Sequence, residues 1–181
     1  MGDTPLEPEV KTITDLYRHF ELPIYRYLLR LCGSGALAQE LTQETFLQAL
    51  TSWQRFRGMS NVSTWLYKIA RNVYLLQIRK DIRSTQLENK MANEQITGQQ
   101  SFNSPEAMLE QQWLRETVND ILQVLPEQYR TVILLKEVEN LSHREISDIL
   151  GKTEASTKVM LFRAKQKFKE EYGRLGGFLN E

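Results

Sequence analysis

The sequence predicts an all-α fold with two small helical domains joined by a flexible linker, the C-terminal one carrying a helix-turn-helix. Apolar residues recur at three- and four-residue spacing along most of the chain, and the alternating pattern of strands is almost absent. Between 84 and 103 the composition shifts to Gln, Asn, Ser and Thr, as in linkers. The predicted domains are therefore 1–83 and 104–181, with the linker at 84–103.

Helical spacing predicts three helices in the first domain, at about 13–31, 36–53 and 64–82. Pro23 lies inside the first helix and is expected to bend or split it, because proline lacks a backbone donor. Ser63 is expected to cap the third helix. In the second helix, Leu41 and Leu50 are expected to pack in the core.

The second domain is predicted to open at Ser104-Pro105, with serine as the cap of a helix and proline in its first turn. That helix ends near 124, and Pro126 opens another that ends near 140. Ser142 and Glu145 have the spacing of a capping box, so a short helix begins there. Gly151 follows its last apolar residue, where a left-handed residue ends a helix at low cost.

The last predicted helix has an apolar side and a basic side. Thr153 can cap it, and Thr157, Leu161, Ala164 and Phe168 are expected to face inward. From 155 to 169 there are several basic residues and no acidic one. The pattern is typical of a helix presented to the major groove of DNA. An ordinary helical hairpin with a solvated lysine face is the alternative.

Charge is unevenly distributed along the chain. The chain has 23 basic and 23 acidic residues, a balance that argues against unspecific coating of nucleic acid. Five basic residues and one acid lie in 64–83, whereas seven acids and two bases lie in 84–128. Two basic regions separated by an acidic segment are typical of a protein with two DNA-contacting sites.

Several function classes are disfavoured by the sequence. No apolar run approaches the about 20 residues of a membrane span, so no membrane insertion is expected. With Cys32 as the one cysteine, no intrachain disulfide can form and the cytoplasm is the expected compartment. No metal site or cofactor is predicted. An enzyme is the disfavoured alternative, because Cys32, His19 and His143 are the only obvious nucleophile and base candidates and Cys32 suits a buried thiol.

Two blocks of sequence carry a family resemblance. The first runs from Glu40–Phe46 (ELTQETF) through Phe56–Gly58 (FRG) to Thr64–Asn72 (TWLYKIARN). The second is Leu125–Arg130 (LPEQYR) and the helix-turn-helix that follows it. In this order and spacing, the blocks resemble the extracytoplasmic function (ECF) class of bacterial RNA polymerase sigma factors, over most of the chain outside the linker and the first dozen residues.

The resemblance implies that the chain binds core RNA polymerase through its beta and beta-prime subunits, directs it to specific promoters and assists promoter melting. The implied polymerase-binding residues are Gln43, Glu44, Phe46 and Leu47. An apolar anchor among polar neighbours on a helix suits a protein interface. Core packing is the alternative for part of Phe46.

The resemblance places recognition of the −10 promoter element in the first domain, with melted DNA as the ligand. Holding an unstacked base costs a few kcal/mol, and aromatic and basic groups supply contacts of that size. The implied residues are Arg57, Gly58, Met59, Ser60, Asn61, Trp65, Lys68, Arg71 and Asn72. Core packing is the alternative for Trp65.

The helix-turn-helix is implied to read the double-stranded −35 element. The implied residues are Ser156, Lys158, Val159, Phe162 and Arg163, and most of their contacts are expected to be with phosphates. A helix-turn-helix regulator that acts without polymerase is the alternative, but it accounts for the second block alone. The resemblance also implies an anti-sigma factor as a partner.

Four positions depart from the family pattern. Leu76 stands where Asp is frequent, Lys152 and Thr157 where Ile or Val is usual, and Met160 where Arg is common. We expect Leu76 to alter the surface near the −10 DNA. The other three are expected to weaken the local core and to remove one phosphate contact.

Overall fold

The computed structural model of the chain describes residues 12–56, 58, 60–88 and 106–176. In these ranges the chain is entirely helices, turns and short connections, which confirms the all-α prediction. The helices are α1 (Ile13–Cys32), α2 (Gly35–Ser52), α3 (Val62–Glu88), α4 (Glu106–Val124), α5 (Glu127–Ile133), α6 (His143–Leu150) and α7 (Glu154–Gly176). A single 3-10 turn, Trp53–Arg55, follows α2, and a π-helical turn, Leu134–Val138, continues α5.

α1 is one continuous helix with Pro23 inside it, so Pro23 does not split it, and a bend at this position stays a prediction. The helix begins at a capping box between Thr12 and Asp15 and ends at Gly33, which has a left-handed φ of 72°. Because proline has no backbone N–H, the carbonyl of His19 lacks its usual helical hydrogen bond from residue 23. His19 is exposed, so this carbonyl can accept a hydrogen bond from water. The cost of the missing hydrogen bond is therefore small beside the burial of the apolar stripe.

α3 differs from its prediction at both ends. It begins at Val62, so Ser63 lies inside the first turn and is not its cap; the backbone N–H of Trp65 instead bonds to the carbonyl of Asn61 at 3.1 Å. The helix continues to Glu88, past the predicted domain boundary at 83. Residues 84–88 include Gln, Leu and Glu, which are good helix formers, and no Gly or Pro. The rest of the predicted linker, 89–103, lies outside the described residues.

The helix-turn-helix forms as its sequence predicts. Ser142 and Glu145 make the capping box of α6, and Gly151 ends that helix with a φ of 63°. The Thr153 hydroxyl accepts a hydrogen bond from the backbone N–H of Ser156 at 3.2 Å, which caps α7. On α7, four inward residues pack as expected: Thr157, Leu161 and Ala164 are buried and Phe168 is half-buried. Pro126 stands just before α5, in the cap position.

The two helical regions pack on each other around a shared core. α1 lies against α2, α3, α4 and α5, while α3 also lies against α6. The largest fully buried side chains come from both regions, among them Tyr27 and Leu28 of α1 and Leu135 and Ile146 beyond the linker. Each buried leucine or isoleucine contributes about 1.5–3 kcal/mol. The two helical regions therefore share one hydrophobic core.

Candidate nucleic-acid and polymerase interfaces

The five predicted −35 residues lie on the exposed side of α7. The exposed fraction is 51% for Val159 and 63% for Phe162, and Ser156, Lys158 and Arg163 are also exposed. The opposite side of the helix packs on α4, α5 and α6. Two large apolar side chains beside two cations can contact thymine methyl groups and phosphates in a major groove.

The cations of α7 are not equally available. Lys158 pairs with Glu154 at 3.0 Å, Lys165 with Glu137 at 2.8 Å, and Lys167 with Glu170 and Glu171 at 3.1 Å each. Within the described ranges Arg163 makes no such ion pair. Of the two cations predicted to contact the −35 element, Arg163 is therefore the one that a phosphate reaches without displacing a carboxylate.

Two of the departures from the family pattern turn out to be core positions. Met160 is buried and contributes to the core, and the loss of a phosphate contact at this position stays a prediction. Thr157 is also fully buried, and its hydroxyl donates to the carbonyl of Thr153 at 3.1 Å. Because that hydroxyl is satisfied, Thr157 does not carry the cost of an unpaired buried polar group. Lys152 and Leu76 are exposed.

An aromatic cluster lies between the end of α2 and the start of α3. It flanks residues 57–61, which are called the candidate −10 loop. The ring of Trp65 lies 4.9 Å from Phe56 and 5.9 Å from Trp53, and Trp53 is stacked on Phe56 at 5.9 Å between centroids. All three rings are half-buried. Trp65 thus combines packing with an accessible ring surface on which a base can stack. Sequence reasoning identified Trp65 but missed Trp53, because the contact depends on the turn that ends α2.

In the candidate −10 loop, Gly58 has a left-handed φ of 66°, and no atom of the described residues beyond its chain neighbours lies within 4 Å of the position that a Cβ would take. Ser60 is half-buried and Asn61 is exposed. On α3, Lys68 and Asn72 are exposed and lie beyond the loop. The predicted residues Arg57 and Met59 lie outside the described residues.

Asn61 and Thr64, at the start of α3, contact the helix-turn-helix. The side-chain amide of Asn61 donates to Glu145 Oε1 at 2.9 Å, and the Thr64 hydroxyl donates to the same atom at 3.2 Å. A polar cleft of about 450 Å³ separates the two elements. Its walls are Ser60, Asn61, Thr64, Ser142, Arg144, Glu145 and Asp148. Sequence reasoning placed Asn61 and Glu145 in separate functions and did not connect them.

Further contacts continue along α3. The hydroxyl of Tyr67 donates a hydrogen bond to a carboxylate oxygen of Glu139, and Arg71 pairs with Glu127 at 3.6 Å. Burial raises the pKa of Glu139, and this effect outweighs the lowering by Tyr67 and by the nearby Arg30 and Arg26. The predicted −10 residue Arg71 is therefore half-buried against the second region and is not on a free surface.

Partial burial raises the pKa of Glu145, but the hydrogen bonds that its carboxylate accepts lower the pKa by more. The carboxylate accepts bonds from the side chain and backbone of Ser142, from Thr64 and from Asn61, and the pKa is left below its ordinary value. Glu145 is thus held as a carboxylate, with one oxygen for the α6 cap and one for the −10 loop.

The predicted polymerase-binding residues divide into exposed and buried. Gln43, Glu44 and Leu47 are exposed on α2, whereas Phe46 is buried with its ring edge on Tyr17, 4.9 Å between centroids. Leu50 was expected in the core, but that prediction is wrong: its exposed fraction is 54%, and that of Leu47 is 55%. The residues that fill the core from α2 are Ala38, Leu41, Thr42, Thr45, Phe46 and Ala49.

Leu47 and Leu50 are neighbours at i and i+3, and Gln43 precedes Leu47 by one turn. Together they give α2 an exposed face with an apolar centre and a polar edge. Such a composition suits a protein partner better than solvent. Sequence reasoning missed Leu50 because helical spacing cannot tell which of two adjacent apolar stripes faces inward.

In the described part of the chain, no group of three or more His, Cys, Asp or Glu side chains is placed to hold a metal ion. Within the same ranges, every helix is too short or too polar to cross a bilayer. Cys32 is half-buried and its thiol donates to the carbonyl of Ser34 at 3.3 Å. Burial raises the pKa of this thiol, which makes it a poor nucleophile.

Two protein-family matches cover the two sequence blocks that carry the family resemblance. Sigma-70 region 2 matches residues 16–84, and Sigma-70, region 4, matches residues 115–168. The chain is 35% identical to the RNA polymerase sigma factor YlaC of Bacillus subtilis, over 88% of this chain and 91% of that protein. It is 30% identical to the ECF RNA polymerase sigma factor SigM of the same organism, over 90% and 96%.

Solved structures share the fold at low sequence identity. The sigma factor RpoE of Bartonella quintana, in complex with the anti-sigma factor NepR, superposes with a TM-score of 0.73 at 21% identity, over 90% of this chain and 97% of that one. CnrH, in complex with the cytosolic domain of CnrY, gives 0.60 at 18% identity, over 87% and 85%. With both sigma-70 regions present and relatives aligned over nearly their full length, the chain belongs to the ECF class of sigma-70 RNA polymerase sigma factors.

Proposed function

We propose that this sigma factor divides its task between three surfaces: the exposed face of α2 binds core polymerase, the loop at 57–61 with α3 reads the −10 element, and α7 reads the −35 element. The observation that carries the proposal is the arrangement of α7. All five residues assigned to −35 contacts are exposed there, while the intervening positions Thr157, Met160 and Leu161 fill the core. A regulator acting without polymerase would leave the exposed leucines of α2 unexplained.

For polymerase binding, Leu47 and Leu50 supply the apolar anchor, with Gln43 and Glu44 at the rim. Phe46 contributes indirectly. Its ring packs on Tyr17 of α1 and so positions the part of α2 that carries Leu47. The partners are the beta and beta-prime subunits. The apolar centre of such a patch carries most of the binding energy, and the polar rim fixes orientation.

For promoter opening, the aromatic cluster of Trp53, Phe56 and Trp65 is the stacking platform. Asn61 and Ser60 present polar groups to base edges. Lys68 and Asn72, further along α3, contact the adjoining part of the melted DNA strand. Arg57 and Met59 complete this set as sequence predictions. Unstacking a base costs a few kcal/mol, and these contacts together can offset that cost. Promoter opening therefore needs no ATP-driven motor.

An anti-sigma factor is proposed as a further partner. RpoE and CnrH, which share the fold, were each solved with another protein bound, and for RpoE that protein is the anti-sigma factor NepR. The exposed leucines of α2 and the exposed Val159 and Phe162 of α7 are surfaces that such an inhibitor can cover. The role requires no catalytic residue of the chain itself, and the cytoplasm, where polymerase works, is its proposed location.

The test is binding to purified core polymerase followed by promoter selection. The full chain should co-elute with core polymerase in size-exclusion chromatography, and the complex should retain a discrete set of fragments from a genomic DNA library. A chain that retains the same fragments without polymerase would instead support the free regulator. A chain that does not co-elute with core polymerase would contradict the proposal.

A further inference from the structure

The outer side of α3 carries a large apolar side chain, Leu76, that belongs to none of the surfaces described so far. Its exposed fraction is 47%, although it lies near the middle of a helix that packs on α1, α2 and α6. Tyr67, Ala70 and Tyr74 are buried on the opposite side of the same helix. Leu76 therefore points away from the core of the chain.

Helix geometry places Leu76 on the same side of α3 as two residues assigned to −10 contacts. Successive residues of an α-helix are turned by about 100°, so Trp65, Asn72 and Leu76 lie within an arc of about 40°. The rise of about 1.5 Å per residue puts Leu76 about 16 Å beyond Trp65 along the helix axis. Leu76 thus extends the proposed −10 surface toward the end of α3.

The surroundings of Leu76 are positively charged. Three exposed cations flank it, namely Arg79, Lys80 and Arg83. Within the described ranges, none of these three side chains takes part in an ion pair. The one acid between 64 and 83, Asp81, accepts a hydrogen bond from Gln77 at 2.8 Å, and both positions are turned by about 100° or more from Leu76. This part of α3 is therefore complementary in charge to a phosphate backbone.

An apolar side chain among cations has a specific use on DNA. Cations contact phosphates and position the helix, whereas the side chains between them reach the base edges. In the major groove the thymine methyl is the apolar group that distinguishes one base pair from the others, and apolar side chains contact it. A leucine within a cationic surface therefore favours thymine over the other bases.

We propose that Leu76 is a specificity-determining residue that contacts the methyl group of one thymine in the promoter, while Arg79, Lys80 and Arg83 bind the flanking phosphates. This inference rests on the proposed function of α3. The distance of about 16 Å along the helix equals about five base steps, so the thymine lies at most about five base pairs from the base stacked at Trp65. Because Leu76 departs from the family pattern, the contact is particular to this chain.

The experiment pairs substitution of Leu76 with removal of thymine methyl groups from the DNA. Core polymerase with the full chain is bound to a promoter duplex that the complex selects from the genomic library. Deoxyuridine replaces one thymine at a time across the −10 element and about five base pairs on either side, which removes the methyl group and keeps charge and base pairing. At one position, uracil should weaken binding of the wild-type complex about fourfold, as expected for one methyl-sized apolar group.

Leu76→Ala should lose the response to uracil at that position. The variant should bind the thymine promoter about fourfold more weakly than wild type and should bind the thymine and uracil promoters equally, because the two partners of one contact are not additive. Leu76 is half exposed and alanine favours helix, so the variant should fold normally. An equal effect of uracil on wild type and Leu76→Ala would overturn the proposal.

Ile82→Ala is the matched control on the same helix. Ile82 is 53% exposed and is turned by about 120° from Leu76, away from the arc that contains Trp65 and Asn72. The control variant should respond to uracil as strongly as wild type. Loss of the response in both variants, or a wild-type complex that responds to uracil at no position, would also reject the role of Leu76.

Selection of promoters separates this inference from the proposed function. If the complex selects no discrete fragments, the proposed function fails and the thymine contact fails with it. If the complex selects promoters but Leu76→Ala weakens binding to thymine and uracil promoters by the same factor, the proposed function stands and the assignment of Leu76 fails.

Discussion

The guanidinium of Arg130, just inside α5, donates a hydrogen bond to the backbone carbonyl of Leu31, at the end of α1 in the other helical region. The same guanidinium bonds to the carbonyls of Gln123 and Leu125 at 2.7 and 3.2 Å. Gln123 in turn donates to the carbonyl of Arg30 at 2.9 Å. The carbonyls of Arg30 and Leu31 therefore accept hydrogen bonds from side chains beyond the linker, and that of Leu31 also accepts one from the Tyr74 hydroxyl of α3 at 3.0 Å.

Arg130→Met should destabilise the whole chain. Arg130 is 8% exposed, and its loss removes a donor from the carbonyls of Gln123 and Leu125, while the carbonyl of Leu31 keeps the Tyr74 hydroxyl as a donor. The expected loss in free energy of unfolding is about 2–4 kcal/mol, measured by urea denaturation. Arg144→Met, at an exposed position, is the control and should change it by less than about 0.5 kcal/mol. Equal effects in both variants would show that the Arg130 hydrogen bonds contribute nothing.

Gly33→Ala should cost more stability than Gly151→Ala. Both glycines have a left-handed φ, 72° and 63°, so both substitutions incur backbone strain of about 1–2 kcal/mol. A Cβ at Gly33 would also lie 3.1 Å from Cδ of Gln123, whereas at Gly151 nothing lies within 4 Å. The difference between the two variants in thermal unfolding isolates the contact between the regions. Equal losses would mean that Gln123 moves aside freely.

Glu139→Gln should stabilise the chain at neutral pH and lose that advantage in acid. Because burial raises the pKa of Glu139 above its ordinary 4.5, the folded chain favours the protonated form. Wild-type Glu139 therefore lowers stability above its folded pKa, and this penalty disappears as the pH falls through that value toward 4.5. Gln keeps an acceptor for Tyr67 without the charge.

Urea denaturation of both proteins from pH 8 to pH 4 checks this difference. Glu145 contributes in the opposite direction, because its pKa is lowered and its stabilisation is lost as the pH falls through the folded value. That contribution is present in both proteins and cancels in the comparison. An advantage of Glu139→Gln that stays constant with pH would contradict the buried-carboxylate explanation.

Leu47→Ala with Leu50→Ala should weaken binding to core polymerase by about 30-fold or more, as expected for the apolar centre of an interface. Because both side chains are more than half exposed, the free energy of unfolding should change by less than about 0.5 kcal/mol. Leu41→Ala is the matched control on the same helix. It is 4% exposed and should lose about 2–5 kcal/mol of stability. Unchanged polymerase affinity in the double variant would exclude this face.

Arg163→Ala should reduce the salt dependence of binding to the −35 element. Loss of one phosphate contact lowers the slope of log affinity against log salt by about 0.9. Lys158→Ala should also reduce the salt dependence, but with a smaller loss of affinity. The reason is that Lys158 must break its ion pair with Glu154 before it contacts a phosphate. Arg174→Ala, near the far end of α7, serves as control. A wild-type slope in both variants would reject these two assignments.

The local parts of the fold could be predicted because their signals are local. The capping box of Ser142 and Glu145, Gly151 and the inward residues of α7 are each specified within a few residues of sequence. The start of α3 was misplaced because Ser63 is a good cap by type, yet the helix had already begun one residue earlier. Propensity for a cap does not fix which of several polar residues is used.

The relation between the two regions could not be predicted, because nothing in the sequence links residues so far apart. Asn61 and Glu145 are separated by 84 positions and each has a complete local explanation without the other. The burial of Met160 and the exposure of Leu50 have the same origin, since both depend on which neighbouring helix covers which side. Asn61 and Arg71 were thus selected by residue type, while their contacts with the second region appear only in three dimensions.

The most direct test of the account is run-off transcription with purified core polymerase and a genomic promoter library. Core polymerase with the full chain should give discrete transcripts, and core polymerase alone should give none. Leu47→Ala with Leu50→Ala should strongly reduce them when the concentration of the chain is limiting. A chain that adds no discrete transcript to core polymerase would contradict the account.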